Sequence, residues 1–477
     1  MNLKESLNHS IFSTISIVAD ELDFPTYVVG GWVRDLILKR KRKRKIEDID
    51  FVCIGSGIEL AERVCLELGN KAVLKVFKNF GTAMISYKGE NFEFIGARKE
   101  SYRKNSRKPV VEDGTLEDDQ NRRDFTINAM AIQLNSENFG EFLDPFNGVN
   151  DLKKGVIRTP NNPDITFDDD PLRMVRAIRF ATQLNFTIED KTKDAITKNS
   201  SRLEIISQER ITDELNKIIL SRIPSIGFKL LFDTKLLHQF FPEFCRLYGV
   251  EKINNHSHKD NFYHTLEVLD NISKSTDDLW LRWGAILHDI AKPQTKKYEE
   301  GIGWTFHAHE FIGSKMVKKI FKKLKLPLNH KMEYVKKMVA LHLRPIVLAQ
   351  DIVTDSAIRR LLFDAGDDID DLMKLCHADI TSKNPSKVKR YLANFQLVRK
   401  KLKEVEEKDR IRNFQPPVNG NEIMEIYDIK SGKEIGQLKK IIKDAILDGL
   451  VKNNRDEVLI FLRRTAGKLN IKTKNEI

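Results

Sequence analysis

The spacing of apolar residues along the chain changes from short strand-like runs to helical periodicity. Residues 1–23 have helical spacing, and about five short β-branched or alternating runs then predict strands between residues 24 and 135. The run Ile46–Gly55 alternates apolar and acidic residues, which predicts a strand buried on one face. The other runs are TYVVGG from Thr26, AVLKVF from Ala72, TAMISY from Thr82 and FEFIGA from Phe92. The pattern therefore predicts an α/β unit in this part of the chain.

Helical signals flank these strands and take over after about residue 150. Ser56 and Glu59 have capping-box spacing ahead of a helix that Gly69 would close. The segments 170–184 and 207–220 are amphipathic with a period close to 3.6. By contrast, Arg98–Asp119 is charged and shows no clear period, which predicts a mobile loop. We expect a mostly helical second part, with a boundary near residues 245–255 and a break at Gln415–Gly420 before a helical tail.

Composition narrows the class of protein. Charged residues make up 31% and hydrophobic residues 41%, which excludes an intrinsically disordered chain, and no apolar run approaches the length of a membrane span. Four separated cysteines without CxxC spacing exclude a disulfide framework. Together with a start that lacks signal-peptide character, they favour a cytoplasmic location.

Positive charge suggests a polyanionic partner. The net charge is +12, and Lys39–Lys45 are seven consecutive basic residues. We interpret this run as a loop that contacts a nucleic-acid backbone, with a solvated surface loop as the alternative.

Two motifs near the N-terminus point to phosphate and metal chemistry. Gly30 and Gly31 end a predicted strand and open a predicted helix, where backbone N–H groups can approach an anion. Asp48 and Asp50 occupy alternate positions of the next strand and so share a face. Two adjacent carboxylates favour a pair of Mg²⁺ ions, although a solvent-facing strand is the alternative for such a pair alone.

The combination of motifs resembles a known family. GGWVRD from Gly30, followed by DID from Asp48, is similar to the polymerase-β-type nucleotidyltransferase head. The match is closer to class II CCA-adding tRNA nucleotidyltransferases and bacterial poly(A) polymerases. Three further segments match that family: RRDFTINA from Arg122, DPFNG with a following DL from Asp144, and DPLRMVRAIRF from Asp170.

This resemblance implies template-independent addition of CCA to the 3′ end of tRNA from CTP and ATP. It also implies a two-metal mechanism in which pyrophosphate is released. A poly(A) polymerase and a partial enzyme that adds only CC or only A remain alternatives. The segment Arg98–Asp119 occupies the position of a loop associated in the family with the switch from C to A addition, and its full length disfavours a CC-only enzyme.

The resemblance also implies roles for individual residues. The catalytic and Mg²⁺-binding residues are Asp48 and Asp50. The nucleotide-binding residues are Gly30, Gly31, Arg34, Arg123, Asp124, Asp170, Arg173, Arg176 and Arg179. In the base-reading motif, Asp169 stands where the family has Glu.

The base-reading pair has a physical rationale. Asp170 accepts and Arg173 donates hydrogen bonds, which matches the amino donor and ring acceptor that cytosine and adenine share. Uracil and guanine present the reverse order and would leave buried groups unpaired.

A second motif lies in the histidine-rich part of the chain. Nine of the 11 histidines fall between residues 256 and 377. The order His264, His288-Asp289, Asp379 resembles the HD superfamily of metal-dependent phosphohydrolases, with the HD dipeptide inside a predicted apolar helix. The resemblance implies a divalent metal site and a secondary phosphohydrolase activity, and His307, His309 and His342 are candidates for a second ion. Structural or surface histidines are the alternative for each residue taken alone.

The predicted fold is a polymerase-β-like α/β head followed by a mostly α-helical neck, an HD-type body and a tail. The predicted boundaries are 24–150 for the catalytic head, 151–250 for the neck with base-selecting and RNA-binding helices, 256–380 for the HD-type domain and 381–477 for a tRNA-binding tail. The predicted partners are tRNA, ATP and CTP, with neither a membrane nor a protein partner. A phosphohydrolase or RNA-binding module with a vestigial head is disfavoured, because every expected head carboxylate is present.

Overall fold

A computed structural model describes residues 2–40, 48–103, 106–253, 256–348, 354–381, 384–409, 411–412 and 414–468. The chain divides into two compact units, Met1–Cys245 and Arg246–Ile477. Within the described ranges, every helix is too short or too polar to cross a membrane. The division into four functional domains stays a prediction.

The first unit is built on a seven-stranded sheet. Its strands are β1 (Thr26–Val29), β2 (Asp48–Cys53), β3 (Val73–Phe77), β4 (Thr82–Tyr87), β5 (Glu90–Gly96), β8 (Ala131–Gln133) and β9 (Phe142–Leu143). Their order in the sheet is β3-β4-β5-β2-β1-β8-β9. Strand β2 runs parallel to β5 and antiparallel to β1. The five predicted strands are confirmed. Strands β8 and β9, of three and two residues, are too short to show a period in the sequence.

Strand β2 lies at the centre of this sheet, and the prediction of a half-buried strand is wrong. Ile49 and Phe51 are buried on one face, where Phe51 stacks on Phe94 with ring centroids 5.1 Å apart. Val52 is buried on the other face in a cluster with Tyr27. Buried residues therefore lie on both faces of β2, and only its acidic positions interrupt the core.

Helices pack against the sheet and continue into a helical region. The helices of this unit are α1 (Ser10–Glu21), α2 (Gly31–Ile37), α3 (Gly57–Leu68), α4 (Leu116–Asn121), α5 (Gly148–Lys154), α6 (Pro163–Asp169), α7 (Leu172–Leu184), α8 (Asp190–Asn199), α9 (Gln208–Ile219), α10 (Pro224–Asp233), α11 (Leu236–Phe240) and α12 (Pro242–Cys245). Helix α3 begins and ends as predicted, since the Ser56 hydroxyl accepts from the Glu59 N–H and Gly69 follows with φ +71°. The parallel pair β10 (Val156–Ile157) and β11 (Thr187–Ile188) lies between these helices.

The prediction of a mobile loop over Arg98–Asp119 is wrong. Strands β6 (Arg98–Arg103) and β7 (Ser106–Asp113) pair as an antiparallel hairpin, and α4 follows directly. The hairpin is stabilised by backbone hydrogen bonds, which need no hydrophobic alternation. A strand pair rich in charged residues therefore leaves no period-two signal in the sequence.

The second unit is mostly helical, as predicted. Its helices are α13 (Asn261–Ser273), α14 (Leu279–Leu287), α15 (Lys292–Thr295), α16 (His309–Lys323), α17 (His330–Leu341), α18 (Leu343–Leu348), α19 (Asp355–Ala365), α20 (Ile369–Ala378), α21 (Pro385–Asp409), α22 (Gly420–Tyr427), α23 (Lys433–Leu447) and α24 (Arg455–Lys468). Two short antiparallel pairs join β12 (Lys252–Ile253) to β13 (His256–Ser257) and β14 (Lys297–Glu299) to β15 (Gly303–Thr305). Among the described residues of both units, 3₁₀ turns occur at Lys4–Ser6, Gly69–Lys71, Lys78–Phe80, Thr126–Asn128, Ser136–Asn138, Ser200–Ile205 and Gly366–Asp368.

Candidate functional site

The two aspartates of the DID motif occupy alternate positions of β2, so both positions belong to one face of the sheet. The side chain of Asp48 lies outside the described residues. A Cβ atom added at Gly30 would lie 3.1 Å from Asp50 Oδ2 and 3.4 Å from Arg123 Nη1. Gly30 also has φ +74°, a conformation that favours glycine. The glycine therefore leaves a space between a carboxylate and a guanidinium at the start of α2.

Sequence reasoning missed a third acid on this face. Asp50 is in register with Glu93 of the parallel strand β5, and the Glu93 side chain is exposed between the buried Phe92 and Phe94. The alternation of FEFI carried this signal, because the residue between two buried phenylalanines must face the other way. Carboxylate oxygens are the ligands that Mg²⁺ prefers, so the chemistry of these acidic positions fits a divalent cation.

A chain of hydrogen bonds connects α2 to the neck helix α7. Arg34 Nη1 donates to Asn128 Oδ1 at 3.0 Å, and Asn128 Nδ2 donates to Asp124 Oδ1 at 3.0 Å. Arg176 donates to Asp124 Oδ2 from Nε at 2.8 Å and from Nη2 at 2.6 Å. Arg176 directly, and Arg34 through Asn128, are thus linked to one buried acid.

Asp124 is held ionised by these partners. Burial alone would raise its pKa, but the charge of Arg176 and the hydrogen bonds from Asn128 and Arg176 outweigh burial and lower the pKa to about 2. Both carboxylate oxygens accept hydrogen bonds from protein donors. Asp124 therefore orients Arg176 directly and Arg34 through Asn128, while its own nucleotide-binding role stays a prediction.

The predicted triphosphate-binding Arg123 is held by an acid that the sequence did not single out. Arg123 donates to Asp119 Oδ2 from Nε at 3.0 Å, and its Nη2 lies 2.8 Å from the same oxygen. Asp119 has no exposed surface, and its other oxygen accepts from Arg122. Burial raises the pKa of Asp119, but the charges of Arg123 and Arg122 outweigh burial and lower it.

The predicted base-reading residues lie at the junction of α6 and α7. Asp170 is the extended C-cap residue of α6, and its Oδ1 accepts from the N–H of Leu172, the first residue of α7, at 3.1 Å. Arg173 is 9% exposed, and its Nη2 donates to the carbonyl of Arg122 at 2.6 Å. The guanidinium of Arg173 therefore contacts the segment that also carries Arg123.

The three arginines of α7 have separate partners. Arg176 pairs with Asp124, whereas Arg179 pairs with the buried Glu214 of α9. The guanidinium of Arg179 lies 4.0 Å from the ring centroid of Phe180, and Arg176 lies 5.5 Å from it. The nucleotide-binding role of Arg179 stays a prediction.

The acids of the DPFNG…DL segment stabilise the fold locally. Both carboxylate oxygens of Asp144 accept from backbone N–H groups of the first turn of α5, at 2.6 Å from Gly148 and 3.0 Å from Val149. Asp151 Oδ2 accepts from the Thr126 hydroxyl at 2.7 Å. This motif therefore fixes α5 against the RRDFTINA segment.

The basic run Lys39–Lys45 is described only in part. Its Arg40 donates to the Gln183 carbonyl at 3.1 Å, and residues 41–45 lie outside the described residues.

A second candidate site lies in the histidine-rich unit and brings together the predicted HD residues. His264 Nε2 lies 2.9 Å from Asp379 Oδ1 and 3.5 Å from Asp289 Oδ2. His288 Nε2 lies 3.2 Å from Asp289 Oδ2 and 3.6 Å from Asp379 Oδ1. Lys292 Nζ also contacts Asp289 Oδ2, at 2.7 Å. Residues from three separate parts of the chain thus converge on one buried point.

Two further histidines extend this cluster. His309 Nε2 lies 3.2 Å and His342 Nε2 3.8 Å from Asp289 Oδ1. Among the described residues, two trios have ligand atoms within 4.8 Å of one another: His264, His288 and Asp379, and Asp289, His309 and His342. His307 does not join them, because its side chain is 82% exposed and its nearest acid is Glu299 at 4.0 Å. The proposal of His307 as a ligand is therefore wrong.

The tautomers of these histidines suit metal binding. In three of them Nδ1 lies within 2.8 Å of a backbone carbonyl three residues earlier. The pairs are His288 with Ala285, His309 with Phe306 and His342 with Val339. A carbonyl only accepts hydrogen bonds, so Nδ1 carries the proton and Nε2 is available to a metal ion. The buried Nε2 of His288 makes no directed hydrogen bond within the described part of the chain, so its environment fits a cation.

The charged groups of the cluster also favour a bound cation. Burial opposes the charge of His288, but Asp289 and Asp379 outweigh burial and raise its pKa to about 10. Burial and the charge of His288 lower the pKa of His342 to about 3. The two carboxylates thus stabilise a positive charge at this point, and a bound metal ion would displace a proton to supply it.

One detail of the predicted geometry is wrong. The HD dipeptide follows α14, which ends at Leu287, and does not lie inside the helix. His288 is the C-cap residue of α14 and keeps helical dihedral angles, φ −54° and ψ −40°, so the difference concerns only where the helix ends.

Comparison with known protein families assigns most of the chain. Residues 26–158 match the Poly A polymerase head domain. Residues 185–247 match the Probable RNA and SrmB-binding site of polymerase A, and residues 261–384 match the HD domain.

Individual relatives agree with these matches. The Multifunctional CCA protein of Shewanella frigidimarina (strain NCIMB 400) is 31% identical over 372 residues, which cover 74% of this chain and 83% of that protein. The A-adding tRNA nucleotidyltransferase of Deinococcus radiodurans is 30% identical over 361 residues, covering 74% and 80%. For the CCA-adding enzyme of Lactobacillus helveticus (strain DPC 4571), the match spans about half, 51%, of that protein.

The fold is also found in a solved structure. The Bacillus stearothermophilus CCA-adding enzyme in complex with CTP has a TM-score of 0.66 over 97% of this chain and 99% of that chain. Its sequence identity of 21% means that this likeness shows the fold alone.

Proposed function

This chain belongs to the family of CCA-adding tRNA nucleotidyltransferases and bacterial poly(A) polymerases, in its HD-domain-containing form, and we propose that it adds CCA to the 3′ end of tRNA. The observation that carries the proposal is the set of contacts within the head and neck. Asp50 faces Arg123 across Gly30, and the adjacent Arg122 carbonyl holds Arg173. A metal-binding face, a triphosphate-binding arm and a base-reading residue are therefore assembled together.

The chemistry follows from the residues on the catalytic face. The family implies use of a divalent metal, and we assign Mg²⁺ to Asp48 and Asp50, with Glu93 beside them. Two bound Mg²⁺ ions would activate the hydroxyl nucleophile and neutralise charge on the leaving group. The 3′-hydroxyl of the tRNA attacks the α-phosphate, a phosphodiester bond forms and pyrophosphate leaves. Arg34 and Arg123 hold the triphosphate in line with that hydroxyl.

Nucleotide choice depends on Asp170 and Arg173. Both are ordered by backbone contacts, at the α7 N-terminus and at the Arg122 carbonyl, before any nucleotide binds. A fixed acceptor and a fixed donor discriminate because uracil or guanine would leave buried groups unpaired, at roughly 1–3 kcal/mol per lost hydrogen bond. The protein then performs the role that a nucleic-acid template has in other polymerases. We place this reaction in the cytoplasm.

The experiment is extension of two tRNA substrates, one that lacks CCA and one that ends in CC, with labelled CTP or ATP and Mg²⁺. A full CCA-adding enzyme extends the first substrate with CTP and the second with ATP. An A-adding enzyme, like the relative in Deinococcus radiodurans by its name, uses ATP on the second substrate and no CTP on the first. A poly(A) polymerase adds many A residues to either substrate. Failure of wild type to transfer either nucleotide would contradict the proposal.

The histidine cluster favours a second activity. We propose that it binds a divalent metal and hydrolyses a phosphate ester, on the strength of its converging and buried Nε2 atoms. The test measures metal content and phosphodiesterase activity on bis(p-nitrophenyl) phosphate, for wild type, His264→Ala and Asp48→Ala. Loss in His264→Ala with retention in Asp48→Ala supports two independent sites. Wild-type protein that neither retains metal nor hydrolyses the ester contradicts the proposal.

A further inference from the structure

We infer that Asp119 is a positioning residue for nucleotide choice, because one buried carboxylate sets the place of both the triphosphate-binding arginine and the carbonyl that holds the base-reading arginine. The inference rests on the proposed function of the head. No motif in the sequence marked this residue.

The first step is the complete enclosure of the carboxylate. Asp119 has no exposed surface and lies in α4, directly before the RRD segment. One oxygen accepts from Arg122, and the other contacts Nε and Nη2 of Arg123 at 3.0 and 2.8 Å. A guanidinium held on one edge by a carboxylate keeps a fixed orientation, which a solvated arginine does not.

The second step follows the consequences of each contact. Arg123 directs its remaining Nη1 toward the Asn128 carbonyl at 3.3 Å and toward the space beside Gly30, which borders Asp50. Arg122 presents its carbonyl to Nη2 of Arg173 at 2.6 Å. Displacing the Asp119 carboxylate therefore shifts Arg123, which we propose binds the triphosphate, and releases one of the contacts that order Arg173.

The third step separates positioning from support of the helix. The neighbouring Asp118 caps α4, since its Oδ2 accepts from the Thr115 N–H at 2.9 Å, and it is half-buried. Asp118 and Asp119 are thus the same residue type on the same short helix, one with a structural role and one with contacts to two arginines. Asp118→Asn is the matched control for Asp119→Asn.

The experiment measures steady-state incorporation of CTP and UTP into a tRNA that lacks CCA, for full-length wild type and both asparagine variants. Misplacement of reacting groups by about 1 Å can lower a rate about 100-fold, so we expect kcat/KM for CTP to fall about 100-fold in Asp119→Asn. We also expect its ratio of CTP to UTP use to fall at least about tenfold, because Arg173 loses an ordering contact. Asp118→Asn should keep the wild-type ratio even if its Tm is lower.

The ratio is the decisive readout, since partial unfolding lowers both rates equally. If Asp119→Asn does not fold, Asp119→Glu keeps the buried charge and displaces the arginines by one methylene, and its ratio should still fall. Wild-type ratios in every folded Asp119 variant would overturn the inference and leave the proposed function intact. Absence of transfer by wild type would instead contradict the proposed function.

Discussion

The nucleotide site of the first unit and the histidine site of the second unit use acids and bases in opposite ways. In the first, the buried Asp119 and Asp124 pair with arginines, and the ordered guanidinium groups are left to meet an anionic ligand. In the second, Asp289 and Asp379 face histidine Nε2 atoms whose other nitrogen is already hydrogen-bonded. Carboxylates therefore orient arginines toward an anionic ligand in the first unit, whereas in the second unit they and the histidines form a site for a cation.

The largest effect should come from removing a metal-binding acid of the head. Asp50→Asn should lower nucleotide transfer about 1,000-fold, because charge on the transferring phosphate loses its stabilisation. The measurement is single-turnover incorporation of CTP. Metal content of the histidine site should stay at the wild-type value, and a parallel loss there would mean that the two sites are not independent.

The opposite experiment removes a ligand from the histidine site. His288→Ala should weaken binding of a divalent metal by at least about 100-fold, because it removes a proposed ligand of the ion. Even residues that only orient metal ligands change the affinity by about 10–100-fold. Binding is measured by calorimetry with Mn²⁺, and tRNA extension by the same preparation should be unchanged. Equal Mn²⁺ affinity in wild type and variant would show that His288 is structural.

Stability sharpens the comparison, because the acid–arginine network is also part of the core. Asp124→Asn leaves the partly exposed Arg176 without its charge partner and should lower the free energy of unfolding by about 2–3 kcal/mol. The exposed pair of Asp164 with Lys198 is the control, and Asp164→Asn should change it by less than about 1 kcal/mol. Both values come from urea denaturation, and equal values for the two variants would contradict a structural role for the network.

The pKa of Asp124 predicts a pH dependence of the same contact. Its folded pKa is lowered from 3.8 to about 2, so the stabilisation is complete above about pH 4 and is lost as the pH falls toward 2. The loss should amount to about 2 kcal/mol for this residue. Wild type should therefore lose more stability than Asp124→Asn between pH 4 and 2, and parallel curves would contradict the assignment.

The smallest effect is expected at His307, which the structure removes from the metal cluster. His307→Ala should bind Mn²⁺ as wild type does, because the side chain is 82% exposed. Weakened binding would show that the cluster recruits this residue when metal is present.

The elements best predicted from sequence were those with a strong local period or cap. The helix after Ser56 and the strands around Thr82 and Phe92 carry such signals, and the residues of the H…HD…D order converge in the structure, while their metal binding stays a prediction. The hairpin over residues 98–113 was missed because backbone pairing between charged strands has no hydrophobic period.

The parts of the nucleotide site that sequence did not predict are those that depend on tertiary contacts. Glu93 becomes a candidate only when β5 lies in register with β2, and Asp119 only when α4 directs it into the core. The sequence predicts the HD dipeptide as helix because the apolar run LRWGAILHDIAK continues past it, whereas α14 ends at Leu287.

The central claim is that the protein itself selects cytidine and adenosine nucleotides through Asp170 and Arg173, beside a metal-binding face that contains Asp50. The most direct test is to incubate wild type and Arg173→Ala with tRNA lacking CCA, Mg²⁺ and all four nucleoside triphosphates, and to sequence the 3′ ends. We predict that wild-type products end in CCA and that U and G appear in the variant's products. Wild-type ends containing all four bases, or an unchanged pattern in the variant, would contradict this account.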